Sequence, residues 1–104
     1  MALNIAVSQE ADAVLVKVAG EVDVSNASEL RDAIDAKLPE TTGELVVDLV
    51  DVPYIDSTGI GVLVGAAHRA QERGATLVVA RPQRNVARVL GMLGVEKDLN
   101  IREA

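Results

Sequence analysis

The densest chemistry in the chain is the run Asp56-Ser57-Thr58-Gly59, which sets a hydroxyl between a carboxylate and a glycine where a helix is expected to start. A helix N-terminus carries unsatisfied backbone N–H groups and the positive end of the macrodipole, so a phosphate on Ser57 would be stabilised there. A phosphoserine adds roughly −1.5 to −2 charge at neutral pH. Beside Asp56, and with Asp23 close by, that charge would oppose an acidic partner surface and disrupt close packing. The same residues also have a plainer reading: Asp56 or Ser57 is an N-cap and nothing more, since Asp and Ser lead the N-cap rankings. A second loop, Glu21-Val22-Asp23 running into Ser25-Asn26, likewise joins a strand to a helix start.

Other candidates carry less. Gly59, Gly61 and Gly65 form G-x-G-x-x-x-G, one residue off the dinucleotide fingerprint. No glycine precedes the helix to wrap a pyrophosphate, and no G-x-x-x-x-G-K-[ST] loop occurs. Close approach of a helix or a partner accounts for these glycines better. His68, the only histidine, has no Cys, His or acidic group at ligand spacing and reads as structural, at the flank of a buried face. Asp48, inside an apolar run, must lie at an edge or be hydrogen-bonded, because an unpaired buried carboxylate is costly. Val62 is expected to point outward with Ala66, Arg69 and Arg73, either as a contact point one turn beyond Ser57 or as ordinary surface. Arg81, Arg84 and Arg88 flank or line a third helix. The first two sit near its N-terminus, where the dipole disfavours cations, so they mark either an acidic partner or a solvated face.

The elements that must position these groups follow from periodicity. Leu3, Ile5 and Val7 alternate, as do Val14, Val16 and Val18, which predicts an antiparallel hairpin closed by Gly20. Asn26 with Glu29 three residues on predicts a capping box, and Ala27, Leu30, Ile34 and Leu38 a helix that Pro39 stops. Leu45 to Val50 and Ala75 to Ala80 read as strands covered on both faces, as in a parallel sheet. Between them a helix is expected from about Thr58 to Arg73, ended by Gly74. Pro82 suits the first turn of a third helix with one apolar stripe, Val86, Val89, Leu90 and Leu93. Leu99 and Ile101 suggest a last short strand. The expected order is β-β-α-β-α-β-α-β, an α/β domain spanning 1–104, mostly parallel with an antiparallel first strand and helices packed against the sheet. In such a sheet functional groups gather at the carboxyl ends of strands, which puts the two acidic loops on one edge.

Composition bounds the function. The 104 residues are 49% apolar, enough for a folded core. Tyr54 is the one aromatic, with no Phe and no Trp, which counts against folds that stack bases on rings. Tyr54 is expected to pack under the loop that precedes Asp56. A net charge of −6 gives no general attraction to nucleic acid or anionic membranes. Cysteine is absent, so disulfides, thiolate metal sites and cysteine nucleophiles are excluded. The N-terminus shows neither a basic segment nor a long apolar run, so a cytoplasmic protein without cofactor or metal is expected.

Three motifs in order resemble the STAS domains of bacterial anti-sigma factor antagonists (anti-anti-sigma factors), over nearly the whole chain. They are Gly20-Glu21-Val22-Asp23 with Asn26-Ala27-Ser28-Glu29-Leu30-Arg31; Leu45 to Leu49 through Val52-Pro53-Tyr54-Ile55-Asp56-Ser57-Thr58-Gly59-Ile60-Gly61-Val62-Leu63; and Val86 to Leu90 with Leu93-Gly94-Val95. The resemblance implies a binding module rather than an enzyme. Its unphosphorylated form would bind an anti-sigma factor that is also a serine kinase of the histidine-kinase-like ATPase type, releasing a sigma factor. That kinase would phosphorylate Ser57 and end binding, and a PP2C-type phosphatase would reset it. By the same resemblance the partner surface comprises Asp23, Ser25, Asn26, Asp56, Ser57, Thr58, Gly59 and Gly61; the outward reading of Val62 adds it to that surface, and a monomer or weak dimer is expected. The rivals are a STAS scaffold or transporter-associated subunit that meets no kinase, and a small α/β enzyme or nucleotide-binding protein. The latter lacks a phosphate loop, a metal cluster and a base–nucleophile pair.

Overall fold

In the computed structural model, which describes residues 2–103, the alternating runs become β1 (Asn4–Glu10) and β2 (Ala13–Ala19). They pair antiparallel with Ile5 opposite Val18 and Val7 opposite Val16. β3 (Glu44–Asp51) and β4 (Thr76–Ala80) add in parallel, giving the strand order β1-β2-β3-β4. The crossovers are α1 (Ala27–Lys37) and α2 (Ser57–Glu72), followed by α3 (Arg84–Leu93) and the short α4 (Glu96–Leu99). The architecture is the α/β sandwich of sheet and helices that periodicity predicts.

Strand alternation separates two faces. Val14, Val16 and Val18 of β2, Leu45, Val47 and Leu49 of β3, and Leu77 and Val79 of β4 pack against Leu30, Ile34, Leu63 and Leu90 from the helices. This core is wholly aliphatic. On the other face Val46, Val78 and Ala80 form a smaller cluster. Among the described residues no helix is long and apolar enough to cross a membrane.

Three local expectations are corrected. The final strand is reduced to one parallel bridge between Ala80 and Arg102. Leu99 instead ends α4, fully buried, and Asn100 turns the chain at φ +49 while its Nδ2 donates to the Leu77 carbonyl at 2.9 Å. The two-residue spacing of Leu99 and Ile101 thus comes from a helix end followed by a left-handed turn. Pro82 lies before α3 rather than in its first turn. Arg81 takes φ +52, and Gln83 is the N-cap residue, its Nε2 donating to the Val50 carbonyl at 2.9 Å. The stripe on α3 is also narrower than expected: Val86 and Leu90 are buried, whereas Val89 and Leu93 are exposed. The helix leans on the core along a single i, i+4 line.

Candidate functional site

The two acidic loops meet because the parallel pairing of β2 with β3 continues past the strand ends. The ladder shifts register between Lys17 and Ala19, and the Gly20 amide then donates to the Asp51 carbonyl at 3.0 Å. Val22 and Ile55 form an isolated parallel bridge, with the Val22 amide on the Tyr54 carbonyl at 2.9 Å and the Asp56 amide on the Val22 carbonyl at 3.0 Å. Both bridge side chains are buried. The next residues on each side are Asp23 and Asp56, so the carboxylate-bearing segments run side by side at the carboxyl edge of the sheet.

Asp23 organises the first loop. Its carboxylate accepts from the Ser25 hydroxyl at 2.5 Å and from the Ser25 amide at 2.9 Å. Those hydrogen bonds, the hydroxyl first, hold its carboxyl below the usual carboxylate range, so Asp23 stays ionised. Its carbonyl accepts from the amides of Asn26 and Ala27, which starts α1. Asn26 is buried, and its role differs from the expected capping box. Its Oδ1 accepts from the Asp23 amide and its Nδ2 donates to the Glu21 carbonyl, each at 2.9 Å. The side chain closes the loop backward and is not spent on the helix amides. Glu29 in turn accepts from the Leu3 amide at 3.1 Å instead of reaching back to the cap, joining α1 to the start of the chain.

Asp56 is the N-cap of α2, its Oδ1 accepting from the Gly59 amide at 3.1 Å and its carbonyl from the Ile60 amide at 3.0 Å. Ser57 and Thr58 occupy the first two helical positions and are exposed. The Ser57 hydroxyl and the Ser57 and Thr58 amides have no partner among the described residues. The plainer reading of the motif therefore belongs to Asp56 alone, and Ser57 does no capping. A free hydroxyl stands at the positive end of a sixteen-residue helix, with two free N–H groups beside it.

The glycines of the motif divide. Gly59 is buried, and a Cβ there would come within 2.7 Å of both Val22 Cγ1 and Ile55 Cγ1. Gly59 lets α2 seat on the bridge. Gly61 is exposed with nothing within 4 Å of a Cβ position, so the fold does not require it.

Two side chains lie differently from expectation. Val62 does not point outward with Ala66: it is half-buried against the core, and Ala66 is fully buried. That side of α2 packs along α1, where Arg69 donates to Asp35 at 2.7 Å. Tyr54 is not under the loop but 49% exposed. Val52 and Ile55 take the inward positions around it, and the Tyr54 backbone is used by the bridge. Val24, 76% exposed in the first loop, was not singled out by periodicity. Its signal is only a valine between Asp23 and Ser25 in a polar turn.

Outside this edge, Asp48 is buried on the second sheet face and paired with Arg81. Burial pushes its carboxyl up, but the Arg81 guanidinium and the Val50 amide (3.1 Å) outweigh this and hold it low. The pair explains a charge inside an apolar strand, and the Arg81 backbone, at φ +52, donates its amide to the Arg102 carbonyl at 2.6 Å. His68 is exposed rather than at the flank of the buried face. It lines a polar cleft with Gln71, Thr76 and Lys97 at the opposite end of α2 from Ser57. Among the described residues no group of three or more His, Asp or Glu is placed to hold a metal.

A family model described as "Mlab, STAS domain" matches residues 5–103. The chain belongs to the STAS domain family. This STAS domain is similar to the anti-sigma-B factor antagonist of Bacillus subtilis (strain 168), at 33% identity over 101 residues, covering 97% of this chain and 92% of the relative. It is similar in structure to an anti-sigma factor antagonist from Mycobacterium paratuberculosis, with TM-score 0.82 and 25% identity over 98% of this chain and 86% of that one. The anti-sigma factor antagonist SpoIIAA shares the fold at 16% identity in its unphosphorylated form, with TM-score 0.81 over 97% of this chain and 88% of that one. In its phosphorylated form, described as a Bacillus cell fate determinant, the TM-score is 0.75 at 15% identity, over 97% and 91%.

Proposed function

We propose that this STAS domain is an anti-sigma factor antagonist switched by phosphorylation of Ser57. The observation that carries the reading is the free, exposed Ser57 hydroxyl at the first position of α2, beside a capping Asp56 and tied by the Val22–Ile55 bridge to the Asp23 loop. In this reading the unphosphorylated edge, made of Asp23, Ser25, Asp56, Ser57, Thr58, Gly61 and the exposed part of Val62, docks on an anti-sigma factor that is a serine kinase. Asn26 and Gly59 shape the edge from beneath. The kinase supplies the catalytic groups and the domain supplies the acceptor. The name of the Bacillus subtilis relative supports the antagonist role.

The switch needs no refolding. Phosphate would find two unpaired amides at the helix start, which stabilise it in place. It would also add roughly −1.5 to −2 charge beside Asp56 and an ionised Asp23, on a chain already at −6. A loss of about 3–4 kcal/mol in binding corresponds to roughly two to three orders of magnitude in affinity. A PP2C-type phosphatase would restore the binding form.

Intact-mass measurement after incubation with the partner kinase and ATP is the test. The expected result is one phosphate on the wild type and on Thr58→Ala, and none on Ser57→Ala. Phosphate on Ser57→Ala, or its loss only in Thr58→Ala, overturns the assignment. Ser57→Asp is expected to abolish binding, whereas Ser57→Ala retains it.

A further inference from the structure

The outer face of α3 is not accounted for by packing. Of the six large apolar side chains exposed among the described residues, three, Val89, Met92 and Leu93, lie on this one helix, with Met92 78% exposed. Six of the ten Lys and Arg residues have an acidic partner within 4 Å, and Arg84 and Arg88 are among the four that have none among the described residues. Spacing of four residues puts Arg84, Arg88 and Met92 in one line, with Val89 and Leu93 in the next. The result is a cationic and apolar strip about 15 Å long on an otherwise acidic domain. It is continuous with the Ser57 edge. The first turn of α3 is tied to the segment leading into Ser57 by Asn85 Nδ2 on the Pro53 carbonyl, at 2.7 Å, and by Gln83 on the Val50 carbonyl.

We infer that this face of α3 is a second docking surface, which receives an acidic amphipathic helix of the protein partner. The inference rests on the reading of the domain as a partner-binding module and adds the chemistry of the partner. Charge complementarity selects that occupant. A second copy of the chain docked by the same patch about a two-fold axis would offer neither Arg84 nor Arg88 an acid, because α3 contains no Asp or Glu. An anionic membrane would gain about 1 kcal/mol per arginine and meet a domain of net charge −6 behind them. An acidic helix satisfies both arginines while its apolar stripe covers Val89, Met92 and Leu93. The partner then straddles two fields of opposite sign. It is acidic where it meets α3, and it stands opposite the carboxylates and the acceptor hydroxyl at the Ser57 edge.

The test is titration calorimetry of the purified anti-sigma factor against the wild-type chain, Arg84→Glu/Arg88→Glu and Val89→Ser/Met92→Ser/Leu93→Ser. Each α3 variant is expected to bind about tenfold or more weakly while still folding and unfolding in one cooperative transition, because all five side chains are exposed. The deficit of the charge-reversed variant should shrink as salt rises. Recovery of its affinity by an acid-to-lysine change in the partner helix supports the pairing. Wild-type binding with both variants within about twofold overturns this inference alone. A wild type that binds no anti-sigma factor overturns the function and this inference together. Co-sedimentation with phosphatidylglycerol vesicles, or a dimer in analytical centrifugation, abolished by these substitutions would overturn it in favour of lipid or self-association.

Discussion

Gly59 and Gly61 stand two residues apart in the same helix turn, and the structure predicts opposite outcomes for the same substitution. An alanine at 59 would place its Cβ 2.7 Å from Val22 Cγ1, 2.7 Å from Ile55 Cγ1 and 3.0 Å from Ile55 Cδ1. Comfortable carbon contacts lie at about 3.5–4.0 Å. Val22 and Ile55 are buried and held by the bridge, so neither can swing into solvent. Overpacking of this kind costs about 1–3 kcal/mol, against which the helix gains up to about 1 kcal/mol on losing a glycine. The net loss for Gly59→Ala is about 1–2 kcal/mol. In a domain of this size each kcal/mol moves the melting temperature by about 4–8 °C. At 61 a Cβ meets nothing within 4 Å, so Gly61→Ala keeps only the helix gain and melts higher than wild type. Thermal unfolding followed by circular dichroism measures both. Gly59→Ala melting at or above wild type, or Gly61→Ala melting below it, would refute the steric argument. Gly61→Ala also separates fold from docking: a more stable protein that binds its partner less well shows a partner passing close over the bare helix turn.

Two further outcomes follow from buried polar groups. Asp48→Asn is expected to cost about 1–3 kcal/mol at neutral pH, less than a fully buried pair because Arg81 keeps 45% of its side chain exposed. Because the folded carboxyl titrates below its unfolded value, the pair stabilises above about pH 4 and its contribution fades as pH falls through the lower folded value. Urea unfolding of wild type and Asp48→Asn should therefore differ at neutral pH and converge in acid; an equal gap at both would sink this account. Asn26→Asp removes the donor to the Glu21 carbonyl and sets a carboxylate against it in a buried position, with an expected loss of about 1–3 kcal/mol by chemical denaturation. Wild-type stability in that variant would show that the Asn26 amide does not hold the loop.

The parts of the fold legible in the sequence are those where one physical signal acts alone. Alternation placed Val14, Val16 and Val18 on the core face of β2, and the unbroken apolar run located β3. Where two structures share a pattern, periodicity misled. Leu99 and Ile101 alternate like a strand, but a left-handed Asn100 separates them. Asn26 and Glu29 have capping-box spacing, yet both side chains are claimed by distant or backward backbone groups, Leu3 and Glu21. The helical wheel of α2 put Val62 and Ala66 in water because it knew the sheet but not α1 alongside. Proximity of the two acidic loops was legible from strand order. Their registration, Val22 against Ile55, was not, since it depends on a shift in the ladder after Lys17.

The single aromatic residue has a use that packing does not exhaust. With no Trp and no Phe, all the ultraviolet fluorescence of this chain comes from Tyr54, and Tyr54 stands half in water three residues before Ser57. Unfolding should change its emission only in part, because about half of the residue is already in water. It should change when a docked protein covers the ring. The domain thus carries one native optical probe on its candidate partner surface, free of background from its own core.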